Sequence, residues 1–142
     1  MYIFYRGDSM QDFLHSTLSK EEIFEMSATA LAHIGDAAFE LMVRSNLCKR
    51  GIRKAGELHK STVMSVSAKA QKEAAEKILS HLTDEENAVF LRGRNAKVNT
   101  IPKHSDPATY HTATAFEALW GYLFLLGRYD RLNALFQIII DK

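Results

Sequence analysis

Cysteine is almost missing from this chain of 142 residues: Cys48 stands alone, which excludes an intramolecular disulfide framework and fits a reducing compartment. Only two prolines and seven glycines interrupt it, so long helices are allowed. Charge of one sign is missing too. Eighteen Lys and Arg against seventeen Asp and Glu leave a formal +1, and so balanced a total can hide local patches. The N-terminal MYIFYRGDSMQDF lacks the basic start, long apolar run and small-residue cleavage site of a signal peptide. The most apolar stretch, residues 112–127, is too short for a typical membrane span and carries a glutamate in its middle. A cytoplasmic protein that does not enter membranes is therefore expected. No Walker loop, GxGxxG, GxSxG or HExxH occurs, and one cysteine with six scattered histidines makes no ordinary zinc site. What remains is a chain of one-domain length, 46% hydrophobic, with enough apolar content for a real core.

No segment alternates apolar and polar residues over four or more positions, so the expected class is all-α, a bundle of about seven helices. Residues 1–18 have weak periodicity and read as an N-terminal arm or a short helix; residues 19–142 read as a single domain. Ser19-Lys20-Glu21-Glu22 and Thr83-Asp84-Glu85-Glu86 are capping boxes, the second opening a helix that ends near Leu91. Helical spacing runs from about Ala28 to Lys49, with Gly51 as a stop, and one or two amphipathic helices fill 57–79. Residues 92–105 read as a loop. Asp106-Pro107 marks the start of a long apolar helix that Gly127 ends, and Asp130 is the expected cap of a last helix, Arg131 to Ile140.

Two carboxylates stand out within apolar helices. His33, Asp36, Glu40 and Arg44 are spaced three, four and four apart, on a stripe roughly 80° wide. Leu31, Ile34, Phe39, Leu41, Met42 and Val43 take the rest of the circumference, so burial against several neighbours is expected there. A solvated seam with a Glu40–Arg44 pair accounts for the stripe taken alone. Asp36, however, sits between Gly35 and Ala37, where another group can approach the backbone. In TATAFEALWGYLFLLG (112–127), Glu117 is the one side chain charged at neutral pH. If buried, such a carboxylate should be protonated, paired with Arg or Lys, or bound to a cation; the remaining reading is an exposed position on a narrow wet stripe. Two carboxylates converging from separate helices would make an oxygen-rich site suited to Mg²⁺, which completes its shell with waters and phosphate oxygens.

Basic residues gather in two stretches without acids. One holds Arg44, Lys49, Arg50, Arg53 and Lys54; the other holds Arg92, Arg94, Lys97 and Lys103. Each is ordinary loop charge if taken alone. Beside a metal-binding centre, both favour a nucleic-acid substrate.

These residues also carry a family resemblance. LAHIGDAAFE (31–40) resembles the signature helix of ribonuclease III, and TAFEALWGYLFLLGRYD (114–130) resembles its second motif, built around Phe-Glu-Ala. Between them, ELHKSTVMSVSAKAQ and FLRGRNAKVNTIPKHSD resemble the shortened form called mini-ribonuclease III, so the likeness spans about residues 28–140. It implies a homodimeric α-helical catalytic domain, Mg²⁺-dependent cleavage of double-stranded RNA and maturation of large-subunit (23S) ribosomal RNA. Asp36 matches the catalytic aspartate and Glu117 the second motif's acid. Arg92, Arg94, Asn95 and Lys97 match a loop proposed to embrace RNA. The sequence departs from full-length ribonuclease III in lacking the double-stranded-RNA-binding domain. It also carries Ala32 and Thr114 where that family has a further Glu and Asp.

The expected mechanism is hydrolysis by a metal-activated water attacking phosphorus in line, the ion offsetting charge on the departing 3′ oxygen. A catalytically inactive RNA-binding module on the same fold is the alternative, motivated by Ala32 and Thr114. A helical nucleotide hydrolase is a third reading, but it lacks the His-Asp dyad or repeated Glu-x-x-Glu ligands it would need.

Overall fold

The computed structural model describes residues 11–97 and 100–141. Among these, seven α-helices and no strand occur. They are α1 (Lys20–Phe24), α2 (Ala28–Lys49), α3 (Ala55–Val66), α4 (Ala68–Ile78), α5 (Asp84–Arg94), α6 (Pro107–Leu125) and α7 (Tyr129–Ile140), with one 3₁₀ turn at Leu79–His81. Of the expected N-terminal arm, residues 1–10 lie outside the described residues. Its last residue is held down, the Leu18 amide donating to the Leu125 carbonyl at 2.8 Å.

Local chemistry sets most helix boundaries. Both capping boxes form, with Ser19 and Glu22 closing on one another before α1 and Thr83 and Glu86 before α5. Asp106 accepts the Thr109 amide and Pro107 opens α6. Gly51 and Gly127, with φ of 105° and 74°, end α2 and α6 in the left-handed conformation that glycine adopts without strain.

Two boundaries differ from expectation. Helix α5 continues past Leu91 to Arg94, because Gly93 packs directly on α6 and tertiary contact extends the helix. A Cβ on Gly93 would lie 2.8 Å from the Ala115 Cα. Helix α7 starts at Tyr129 rather than after Asp130. The Gly127 turn reverses the chain at once, and Asp130 falls in the first helical turn, where its charge complements the helix dipole.

Helix α6 is the axis of the bundle. Phe116, Leu119, Trp120 and Leu123 are fully buried, and α2, α4, α5 and α7 pack around it. Phe39 from α2 meets Phe116 and Trp120 edge-on, with ring centroids 4.9 and 5.2 Å apart. Helix α2 is less enclosed than its sequence predicts: Leu41 is 55% exposed, because it lies beside the polar stripe rather than opposite it.

The closest backbone approach joins α2 to α6. A Cβ on Gly35 would fall 1.7 Å from the Glu117 carbonyl oxygen, and one on Gly121 would fall 2.0 Å from the Leu31 carbonyl oxygen. Only glycine fits at either position, so the two helix backbones are in contact at this crossing.

On α5, Glu85 and Glu86 tie that helix to its neighbours. Glu86, 2% exposed, receives the Arg131 Nε and Nη2 at 2.8 Å each. Glu85 receives the Tyr122 hydroxyl at 2.6 Å, the Arg128 Nη1 at 2.7 Å and the Lys20 ammonium at 2.7 Å.

Candidate active site

The Gly35–Gly121 crossing decides where the two singled-out carboxylates stand. Asp36 follows the contact glycine of α2, and Glu117 precedes the contact glycine of α6 by one helical turn. Asp36 is exposed and Glu117 half-buried, and the two side chains come within hydrogen-bonding reach of one another. Among the described residues neither forms an ion pair. Of the three fates open to Glu117, pairing with Arg or Lys is thereby removed.

The electrostatics follow from that isolation. Burial raises the Glu117 carboxyl most, and the adjoining Asp36 adds to the effect through its hydrogen bond and its charge. One group opposes them: the Gln71 carboxamide of α4 donates from Nε2 to Glu117 Oε2 at 3.5 Å. The result is a Glu117 pKa pushed up from 4.5 to about 8. Without a cation Glu117 therefore keeps its proton near neutrality.

A divalent cation is the third fate open to Glu117. The two carboxylates form an all-oxygen donor set open to solvent on the Asp36 side. Mg²⁺ takes one or two carboxylates and keeps several waters, so this set fits it. Among the described residues no third His, Cys, Asp or Glu completes a metal-binding cluster, whereas zinc takes three or four protein ligands. The positions of the missing acids are filled differently. Ala32 is buried in the core, and Thr114 is buried with its hydroxyl donating to the Tyr110 carbonyl of its own helix.

The remaining stripe residues of α2 are peripheral. His33 is exposed, and Glu40 pairs with Arg44 along the helix. The four residues matched to an RNA-embracing loop are all exposed but only partly on a loop. Arg92 and Arg94 occupy the last turn of α5, Asn95 is its C-cap, and Lys97 follows; Val98 and Asn99 lie outside the described residues. Gly93, between the two arginines, rests on Ala115, two residues before Glu117. Arg92 is partly committed elsewhere, since its guanidinium donates to the Met26 carbonyl. Arg94 and Lys97 form no ion pair among the described residues. In the other basic stretch, Arg44 is used by Glu40 and Arg53 by the Cys48 carbonyl, so two of its charges serve local structure.

Gln71 is the residue that sequence reasoning missed. The signal was there: residues 71, 74, 75 and 78 form the buried face of α4, and three of them are Ala, Ala and Ile. A glutamine in that apolar register, 3% exposed, needs a polar partner.

Comparison with known proteins gives a consistent picture. Residues 29–128 match the ribonuclease III domain. The chain is 41% identical to a mini-ribonuclease 3 of Thermoanaerobacter sp. over 94% of its own length and 95% of the relative's. It is 47% identical to a mini-ribonuclease 3 of Gloeobacter violaceus over 82% of its length and 84% of the relative's. A crystal structure of a protein from Fusobacterium nucleatum matches with a TM-score of 0.75 at 31% identity, covering 84% of this chain and 95% of that one.

Proposed function

The chain belongs to the ribonuclease III family, in its mini-ribonuclease III branch, and from that premise we propose that it is a Mg²⁺-dependent endonuclease that cuts double-stranded RNA at Asp36 and Glu117. The observation that carries this reading is the pair itself: two carboxylates from different helices, in reach of one another, with no Arg or Lys between them. Like charges so placed cost stability, and a cation relieves that cost. The bound ion supplies Lewis-acid activation of water and charge neutralisation at the scissile phosphodiester.

The protein's own residues do the rest. Asp36, exposed, offers its oxygens on the side from which RNA arrives; Glu117, half-buried, offers them from the bundle side. Arg92, Arg94, Asn95 and Lys97 contact the RNA backbone from the end of α5, holding the duplex in register with the carboxylates. Water adds to phosphorus as the P–O3′ bond breaks, leaving a 5′-phosphate and a 3′-hydroxyl. In this reading residues 19–142 are the catalytic domain. Two copies pair so that each cuts one strand. The substrate is the 23S ribosomal RNA precursor, and the setting is the cytoplasm. No helix among the described residues is long and apolar enough to cross a membrane.

An inactive RNA-binding module on the same fold has less in its favour. Such a module gains nothing from keeping two unneutralised acids in contact, since their repulsion only weakens the fold. Incubating the purified protein with long double-stranded RNA, with and without Mg²⁺, separates the two. Metal-dependent cutting is expected, and binding without cutting would establish the inactive module instead.

A further inference from the structure

We propose that Gln71 is a positioning residue, holding the Glu117 carboxylate beside Asp36 without neutralising it, so that both face one divalent cation. The inference rests on the reading of Asp36 and Glu117 as the metal-binding pair.

Three observations on α4 support it. Gln71 is anchored at its backbone, its amide donating to the Ser67 carbonyl at 2.9 Å in the first turn. Its side chain is 3% exposed yet directed at a carboxylate on another helix, 46 residues away in sequence. Its neighbours on the buried face, Ala74, Ala75 and Ile78, offer it no polar partner.

The kind of donor matters as much as its place. When both acids are ionised, repulsion drives the Glu117 side chain away from Asp36, and a donor is needed to hold it. A Lys or Arg would do so by forming an ion pair, and its charge would then compete with the metal. A carboxamide donates a hydrogen bond while leaving the full negative charge for the cation. Cations are available nearby: Lys69 and Lys72 flank Gln71 on α4. Neither is aimed at the pair, and the charge of Lys72 acts on Asp106 instead. The helix thus presents its one uncharged donor to the acids and turns its lysines elsewhere. Partners that orient metal ligands are typically worth about 10- to 100-fold in metal affinity.

Mn²⁺ binding to the RNA-free protein, followed by electron paramagnetic resonance, tests this directly. Gln71→Met keeps the length and removes the donor. Its folding is checked by circular dichroism, and its Mn²⁺ midpoint is expected to rise about tenfold. At saturating metal its KM for RNA should stay at the parent value, because the side chain touches the ligand rather than the substrate. Gln71→Lys installs the competing charge and should weaken Mn²⁺ binding further than Gln71→Met does. Parent-like Mn²⁺ affinity in a folded Gln71→Met overturns the proposal, and if that variant does not fold, parent-like affinity in Gln71→Lys overturns it equally. Asp36→Asn separates the two levels of inference. If it binds Mn²⁺ as the parent does, the pair is not the metal site and both readings fall. If it loses Mn²⁺ while Gln71→Met keeps it, only the role of Gln71 falls.

Discussion

Helix α6 has two carboxylate clusters beside it, and they are built on opposite plans. Glu85 and Glu86 stand among Lys20, Arg128, Arg131 and the Tyr122 hydroxyl. Arg128 first, then Lys20 and Tyr122, hold Glu85 down at about 2. Burial alone would raise Glu86, but Arg131 and the Thr83 amide reverse that and leave it lowered. Asp36 and Glu117 have each other and an amide, and Glu117 rises to about 8. The first cluster is a fastening: its charges are satisfied inside the chain. The second has no cation from the chain beside it among the described residues, and in the proposed function a metal ion completes it. On the proposed reading the difference separates structural acids from functional ones, although both kinds lie in similarly helical surroundings.

The comparison is sharpened most by removing the unsatisfied charges. Asp36→Asn and Glu117→Gln are each expected to lower RNA cleavage by at least about 10³-fold, the scale on which loss of an essential electrostatic group acts. Both should also raise the melting temperature of the metal-free protein at pH 8, since repulsion goes with the charge. Gel assays and thermal melts with a chelator check the two effects together. A variant that loses activity only by losing stability would erase the distinction.

Arg131→Met attacks the opposite cluster and should do the reverse. It strands Glu86 in the interior and should cost about 3–5 kcal/mol in urea denaturation. Any folded fraction should retain its metal affinity. Gly35→Ala attacks the contact that brings the second cluster together. With the Glu117 carbonyl 1.7 Å from the new Cβ, the helices must separate, at about 3 kcal/mol, the upper end of overpacking costs. Activity and stability should fall together in this variant.

Titration discriminates the clusters by the sign of their slopes. Folded Glu117 keeps a proton up to about 8 that the unfolded chain releases near 4.5. Metal-free stability from this group is therefore full below pH 4.5 and declines as pH rises toward 8. Solvent reaching the half-buried carboxyl reduces the loss to about 2 kcal/mol. Glu85 acts oppositely: its contribution is present above 4.5 and disappears as pH falls toward 2. Urea titrations of the parent and Glu117→Gln across pH 4–9 should diverge progressively above pH 4.5 and level off beyond about 8, and Mg²⁺ should close the gap for the parent. The smallest effect belongs to Lys20→Ala. That partner of Glu85 is exposed and replaceable, so the change should cost no more than about 1 kcal/mol.

The sequence by itself determined a great deal here. The capping boxes at Ser19 and Thr83, Pro107 after Asp106, and the stop at Gly127 are local rules, and each holds because its chemistry reaches only three or four residues. Glu117 stands out for the same reason, since a lone charge within an apolar helix is conspicuous, whereas Asp36, on a polar stripe, is singled out by its small neighbours and the family resemblance. Tertiary structure alone decided that the two acids meet. That depends on two glycines 86 positions apart letting two backbones touch, a fact of close packing that no local spacing encodes. It also decided which acids would be neutralised. Glu86 reads only as the last residue of a capping box, yet it is buried and met by Arg131, whereas Glu117 is met by Asp36 and Gln71. Charge interactions across helices are set by where distant side chains land, which the chain specifies only by folding.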